Sequence, residues 1–206
     1  MKALFLAAAF LLTLNVASAS DDSASAKRTP ADYRREVKTC SNALERAPRD
    51  GKLYRRRADA AIKLKDYKEA VADYTKAIQL KAADADVYYN RGMAQIKLKD
   101  YKKAVLDFNA ALKQRPTDAG AFYARGVARV MTFEYKTAIG DFNRALALDS
   151  TLADAYEYRG VSYASLDKAD EACRDLARAV ALNPEAAKTQ RQYCRPAKPT
   201  ADVATK

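Results

Sequence analysis

An all-α fold, built as a solenoid of four two-helix units, is predicted by this sequence from three observations. The chain of 206 residues holds only 6 glycines and 6 prolines against 49% hydrophobic residues, a helical composition with little room for hairpins. Aromatic residues recur at a step of 34, at Tyr54, Tyr88, Phe122 and Tyr156, and neighbouring positions keep the same step. Within each step, apolar residues return at helical spacing in two runs separated by a polar turn.

Residues 1–19 read as a secretory signal peptide. Lys2 precedes an apolar run from Ala3 to Leu14, and Val16-Ala17-Ser18-Ala19 before Ser20-Asp21-Asp22 is an A-x-A-type site, with cleavage expected after Ala19. The run is shorter than the roughly 20 apolar residues a bilayer span requires. The processed chain is therefore expected to be exported without a transmembrane segment, periplasmic in a bacterium and otherwise secreted. Residues 20–30 form a linker expected to be disordered. Over 31–50, Tyr33, Cys40, Ala43 and Pro48 stand where the second helix of a preceding unit would place its turn aromatic, core aromatic, alanine and proline. A half-repeat helix should thus start the array.

The four units run over 51–84, 85–118, 119–152 and 153–186. Four residues after each leading aromatic comes a small residue, Ala58, Gly92, Gly126 or Gly160. The second helix then brings Ala70, Ala104, Ala138 and Ala172, next Tyr74, Phe108, Phe142 and Leu176, and last Ala77, Ala111, Ala145 and Ala179. Asp50, Asp84 and Asp118 end the spacers and suit the N-cap of each following first helix. Asp66 and Asp100 suit the N-cap of second helices, and Glu69 completes a capping-box pattern with Asp66. Pro116 and Pro184 lie just after second helices. A capping helix over 187–195, stopped at Pro196, and a tail over 196–206 with no apolar periodicity, expected to be disordered, complete the chain.

On these positions the chain resembles the tetratricopeptide repeat (TPR) family, whose 34-residue unit is helix-turn-helix. The likeness spans roughly 31–195. Tyrosine or phenylalanine stands where the family often has tryptophan, and its frequent leucine is replaced by Arg57, Arg91, Arg125 and Arg159. The first-helix tyrosine survives only at Tyr163, and Ala82 and Ser150 replace two of the terminal prolines. The resemblance implies a right-handed superhelix with a concave groove lined by the first helices, and a protein or peptide as partner.

Carried over position by position, that groove presents Lys52, Arg55, Arg56 and Asp59 from the first unit, and Asp86, Tyr89, Asn90 and Met93 from the second, with Lys97 at its edge. The third unit gives Tyr123, Ala124, Val127 and Val130, and the fourth gives Asp154, Glu157, Tyr158 and Val161. Such a groove is basic at its N-terminal end, aromatic in the middle and acidic at its far end. Its expected occupant is an extended segment with an acidic end and an apolar centre, anchored on Tyr89 or Tyr123. The family's clamp for C-terminal carboxylates is broken. Arg55 and Asn90 match it in part, but Asp59, Gly120 and Ala124 stand where asparagine, lysine and arginine are required.

Two repeated features point inward. Glycine in a helix interior costs about 1 kcal/mol relative to alanine, and the expected compensation at Gly92, Gly126 and Gly160 is close approach to Ala104, Ala138 and Ala172. Sixteen residues after each repeated arginine stand Asp73, Asp107, Asp141 and Asp175, at about the same height in an antiparallel pair. A partly buried ladder of bidentate Arg–Asp pairs is expected, with simply exposed arginines as the alternative.

Catalytic chemistry finds no foothold. The sequence has no histidine, which removes imidazole bases, histidine metal sites and Ser-His or Cys-His pairs. It has no C-x-x-C, P-loop or G-x-G-x-x-G, so no cofactor, no metal and no enzymatic activity are expected. Of the 3 cysteines, Cys40 reads as a lone buried thiol, with an intermolecular bridge as the alternative. Cys173 occupies the apolar position of Val71, Val105 and Ile139, and is either a buried thiol or, in an exported protein, bridged to Cys194.

The formal net charge is +11, with arginine and lysine concentrated from Arg34 to Arg57 and again from Lys188 onward. This favours acidic peptides, anionic lipid or cell-envelope polymers, with a solvated charged surface that only keeps the protein soluble as the alternative, and export argues against nucleic acid. Two functions follow: a binding adaptor that uses the groove, or a structural subunit of an envelope assembly docking through its basic N-terminal face.

Overall fold

Each 34-residue step folds as two helices packed on one another. The computed structural model describes residues 28–194. The signal peptide, the linker before residue 28, Arg195, the Pro196 stop and the 196–206 tail lie outside the described residues. The half-unit helix α1 (Pro30–Arg46) comes first. The units follow as α2 (Gly51–Leu64) with α3 (Tyr67–Gln79), α4 (Ala85–Lys97) with α5 (Tyr101–Gln114), α6 (Ala119–Val130) with α7 (Tyr135–Leu148), and α8 (Ala153–Ala164) with α9 (Ala169–Leu182). After a single 3-10 turn at Pro184–Ala186, α10 (Ala187–Tyr193) ends the described chain.

The stacking is that of an α-solenoid. Each second helix packs on the first helix of the next unit, and the first helices also touch one another, α2 with α4, α4 with α6 and α6 with α8. The first helices therefore form the inner row. The short α10 packs on both α9 and α8, as the first helix of a fifth unit would.

The core is a column of the repeated positions. Tyr74, Phe108, Phe142 and Leu176 are wholly buried, together with Ala70, Ala104, Ala138 and Ala172. The structure corrects the expected role of the glycines. A Cβ on Gly92 would sit 2.9 Å from the Phe108 ring, and one on Gly126 would sit 2.7 Å from the Phe142 ring. At these two glycines the close neighbour is thus the core aromatic rather than the alanine four residues before it, whereas a Cβ on Gly160 would meet Leu176 at 2.8 Å and, as expected, Ala172 through its carbonyl oxygen at 3.1 Å. The helix-propensity penalty is offset by a buried ring lying flush against bare backbone.

The helix starts divide into two kinds. Asp50 accepts from the backbone N–H of Lys52 at 2.9 Å, Asp84 from Val87 at 3.1 Å and Asp118 from Ala121 at 2.9 Å, as N-caps do. Asp66 and Asp100 make no such bond, and the capping box with Glu69 does not form. Their backbone N–H groups instead close the preceding helix, Asp66 onto Ala61 at 2.9 Å and Asp100 onto Gln95 at 2.8 Å. Each of these turns passes through a left-handed residue, Lys65, Lys99, Phe133 or Asp167, with φ between 59° and 64°. A left-handed conformation disfavours any residue with a Cβ by about 1 kcal/mol, and β-branched residues most. Lys99→Gly is therefore expected to melt a few degrees above Lys99→Val, and reversed order in thermal denaturation would contradict this account of the turn.

Polar side chains run through the same packing as a ladder. Arg57 grips Asp73 with two bonds of 2.7 and 2.8 Å, and Arg91 grips Asp107 with 2.7 and 2.6 Å. Arg125 holds Asp141 at 3.0 and 2.6 Å, and Arg159 holds Asp175 at 2.6 and 2.7 Å. The four aspartates are between 3% and 8% exposed, so the fork geometry supplies the bonds that burial would otherwise deny them. The remaining Nη1 of each guanidinium reaches back to the preceding helix, to Ser41 and Thr75 at 3.0 Å and to Asn109 and Asn143 at 2.7 Å. Three of the arginines also lie over the aromatic three residues earlier, Tyr54, Phe122 or Tyr156.

Candidate functional site

The inner row is where the units stop resembling one another, and its side chains differ sharply in how far they are already engaged. At the N-terminal end, Arg55 Nη1 donates to Asp84 at 2.6 Å, while its Nε lies 4.0 Å from Asp59 and its Nη2 3.9 Å from Asp86. Asp86 is also held by Arg115 from the end of α5. Burial pushes the Asp84 carboxyl up, but the Arg55 guanidinium and the Val87 N–H together hold it below its ordinary value. Asn90 lies with Arg55, Asp59 and Tyr74 around a cavity of about 330 Å³. The Tyr74 hydroxyl donates to Asp59 at 2.5 Å, and burial first, then that carboxylate, push its pKa far upward.

Arg56 turns away from this cavity towards α1, where its Nε lies 2.5 Å from Glu36, which also pairs with Arg28 at 3.1 Å. Arg55 and Arg56 are thus each paired within the fold, which narrows the expected basic end to its lysines. Lys52 is exposed and has no ion pair among the described residues. Burial raises the Glu36 carboxyl, but bonds from Arg56 and Arg28 leave it below the ordinary carboxylate range. A depressed folded pKa contributes stability above the unfolded value of about 4.3, and loses it as pH falls through the folded value. The melting-temperature gap between wild type and Glu36→Gln should thus be full near neutrality and close below about pH 4. A gap that persists in acid would contradict the pairing.

Aromatic side chains line the middle and far end. Tyr89 is half-buried, with its ring edge-on to Phe108 at 5.8 Å, and Met93 packs against the same core cluster. Tyr123 meets Phe142 at 6.2 Å and Tyr158 at 6.1 Å, while Phe142 and Tyr158 stack at 6.2 Å. Val127, at 9% exposed, and Ala124, at 3%, belong to the core rather than the surface, a correction to their expected place as groove contacts.

The largest cavity described, about 500 Å³, opens over this aromatic cluster. Val130 and Val161 join the two tyrosines on its floor, Asp154 and Glu157 stand on its rim, and α10 closes one side with Thr189, Gln192 and Tyr193. The Thr189 hydroxyl bonds the Glu157 carboxylate. A disulfide between Cys173 and Cys194, with Cα atoms 5.5 Å apart, ties the end of α10 to α9, and Cys40 is buried and free. The α10 wall is absent from the groove expected from the sequence. One signal points to it, because Cys194 falls 34 residues after Gly160, at the small-residue position of a fifth unit.

Stacked helix pairs with an aromatic inner groove define a helical-repeat interaction module. Family models agree: the tetratricopeptide repeat matches residues 85–118, and a TPR repeat model matches 58–99. The chain belongs to the tetratricopeptide repeat family.

A search of curated protein sequences finds no match. Among solved structures, the chain is similar to YrrB, described as a TPR protein with an unusual peptide-binding site, at 22% identity and a TM-score of 0.74, over 79% of this chain and 84% of that one. It is similar to the Arabidopsis OM64 TPR domain at 31% identity and a TM-score of 0.52, over 54% of this chain and 93% of that one. The first TPR of Spaghetti (RPAP3), bound to the HSP90 peptide SRMEEVD, matches at 26% identity and a TM-score of 0.52, over 53% of this chain and 90% of that one.

Proposed function

We propose that the chain is a non-enzymatic adaptor that holds an extended segment of a partner protein along the inner row of α2, α4, α6 and α8. The observation that carries this reading is the open cavity of about 500 Å³ floored by Tyr123 and Tyr158. Partly exposed aromatic faces beside a concavity are the usual anchor points of protein partners. Peptide-bound RPAP3 supports it as a TPR precedent. The same binding mode is not expected here, because Arg55 is engaged by Asp84 and Ala124 stands at 3% exposure.

The disulfide supports export, since such bridges persist in oxidising compartments. Among the described residues, no helix is long and apolar enough to cross a membrane.

A second reading keeps one observation in its favour. Arg34, Lys38, Arg46 and Arg49 are exposed on and just after α1 with no ion pair among the described residues, a face suited to an anionic envelope surface. Affinity capture from an exported fraction, followed by mass spectrometry, separates the two. Tyr123→Ala and Tyr89→Ala should each lose the captured partner roughly tenfold or more, while charge reversal at Arg34 and Lys38 should leave it. The opposite pattern would favour the surface-docking subunit.

A further inference from the structure

The charges of the inner row are not balanced in the way the composition suggests. At the N-terminal end every arginine of the groove is met by carboxylates of the same fold: Arg55 by Asp84, Asp59 and Asp86, and Arg56 by Glu36. At the far end the reverse holds. Asp154 is exposed and has no ion pair among the described residues, and Glu157 is bonded by the neutral Thr189 hydroxyl rather than by a cation. Both carboxylates stand over the largest cavity, whose floor is the Tyr123–Tyr158 pair.

We propose that this C-terminal cavity is a receptor for a single lysine or arginine side chain carried on an apolar stretch of the partner segment. The proposal rests on the groove being the binding site and names the chemistry of its occupant. Two features of the cavity act together. The aromatic faces of Tyr123 and Tyr158 attract a cation through their ring quadrupoles, and their apolar area takes the aliphatic stem of the same side chain. The carboxylates at the rim then meet the charged head, with geometry suited to a guanidinium fork or an ammonium. Burial first, and then Asp154, hold the Tyr123 hydroxyl protonated well above its ordinary range, so the floor stays neutral while the rim is negative.

The number of cations is set by the rest of the molecule. The whole chain carries +11, and such a field repels polybasic segments at distances up to a Debye length of about 8–10 Å. Attraction in the cavity is local and screened, whereas repulsion is collective. One cation flanked by apolar residues gains the first without provoking the second. Met131 and Tyr193, at 40% and 39% exposed, line the same cavity as apolar surface left uncovered among the described residues, which those flanks would cover.

The test uses three fluorescein-labelled peptides with identical alanine and leucine flanks and a central lysine, norleucine or glutamate, titrated against the oxidised chain. The lysine peptide is expected to bind roughly tenfold more tightly than the norleucine peptide, and the glutamate peptide most weakly. In Asp154→Asn/Glu157→Gln the lysine preference should collapse to within about twofold while norleucine binding is unchanged, because only the charge contacts are removed. Asp154 is exposed and Glu157 lies at the surface, and an unchanged melting curve would confirm that the double variant is folded.

Equal affinity for lysine and norleucine peptides would overturn the cation receptor and leave the groove reading intact, provided Tyr123→Ala still weakens both. Tightest binding of the glutamate peptide would overturn it as well. No binding of any peptide, joined with capture of the natural partner that Tyr123→Ala does not disturb, would overturn the groove reading itself.

Discussion

Replacing Asp141 with asparagine is expected to lower the melting temperature by roughly 10 °C, more than the same change at Asp73, Asp107 or Asp175. Removing one partner of a buried ion pair costs on the order of 3–5 kcal/mol, and about 1 kcal/mol shifts melting by roughly 2–4 °C in a chain of this size. Asp141 is 3% exposed and accepts from two guanidiniums, Arg125 and, at 2.7 Å, Arg129. Its loss strands two charges where the other rungs strand one. The simpler rung at Arg91 and Asp107 supplies the control. Asp107→Asn alone should be strongly destabilising, whereas Arg91→Leu with Asp107→Leu should recover most of the loss, since an apolar pair needs no partner. Calorimetry on these variants decides the matter, and a harmless Asp141→Asn would refute the shared-anion argument.

Reduction of the Cys173–Cys194 bridge by a dithiol is expected to release α10 while α1 to α9 stay folded. The bridge spans 21 residues, a closure that contributes roughly 3 kcal/mol. The seven-residue α10 is far too short to persist alone and has no fully buried side chain of its own. The expected readout is amide exchange over 187–193 faster by about two orders of magnitude, at roughly 1.4 kcal/mol per tenfold, with α8 and α9 little changed. Because Thr189, Gln192 and Tyr193 wall the cavity, partner capture through Tyr123 should weaken in parallel. Cys194→Ser should reproduce both effects, and identical exchange in oxidised and reduced protein would show that packing alone holds the helix.

The fold was legible because the same solution to packing is written four times. Gly92, Phe108 and Ala111 gain meaning from Gly126, Phe142 and Ala145, and the Arg–Asp step of sixteen residues recurs often enough to suggest its own geometry. The turn aspartates misled for a physical reason. Asp66 and Asp100 have the composition of an N-cap, but the chain reaches them through a left-handed residue, and their N–H groups are committed to the helix behind.

The state of the groove was less legible. Arg55 meets Asp84 and Arg115 meets Asp86 across 29 residues in each case, with the arginine first in one unit and the aspartate first in the next. No period within a unit encodes that distance. A count of arginines therefore read as free charge in the groove what the fold turns, at Arg55 and Arg56, into ion pairs.

The second bond made by each ladder arginine has a mechanical meaning. Arg57, Arg91, Arg125 and Arg159 each clasp their own unit and the helix before it, so every seam of the solenoid is pinned by the same guanidinium that fills the unit. In a linear array, stiffness resides in the seams, because neighbouring units touch only there. Each such bond resists stretching and fanning at the seam it crosses. For a partner segment held as proposed, the spacing from Tyr89 to Tyr158 would then act as a gauge that selects by length between anchors as well as by chemistry.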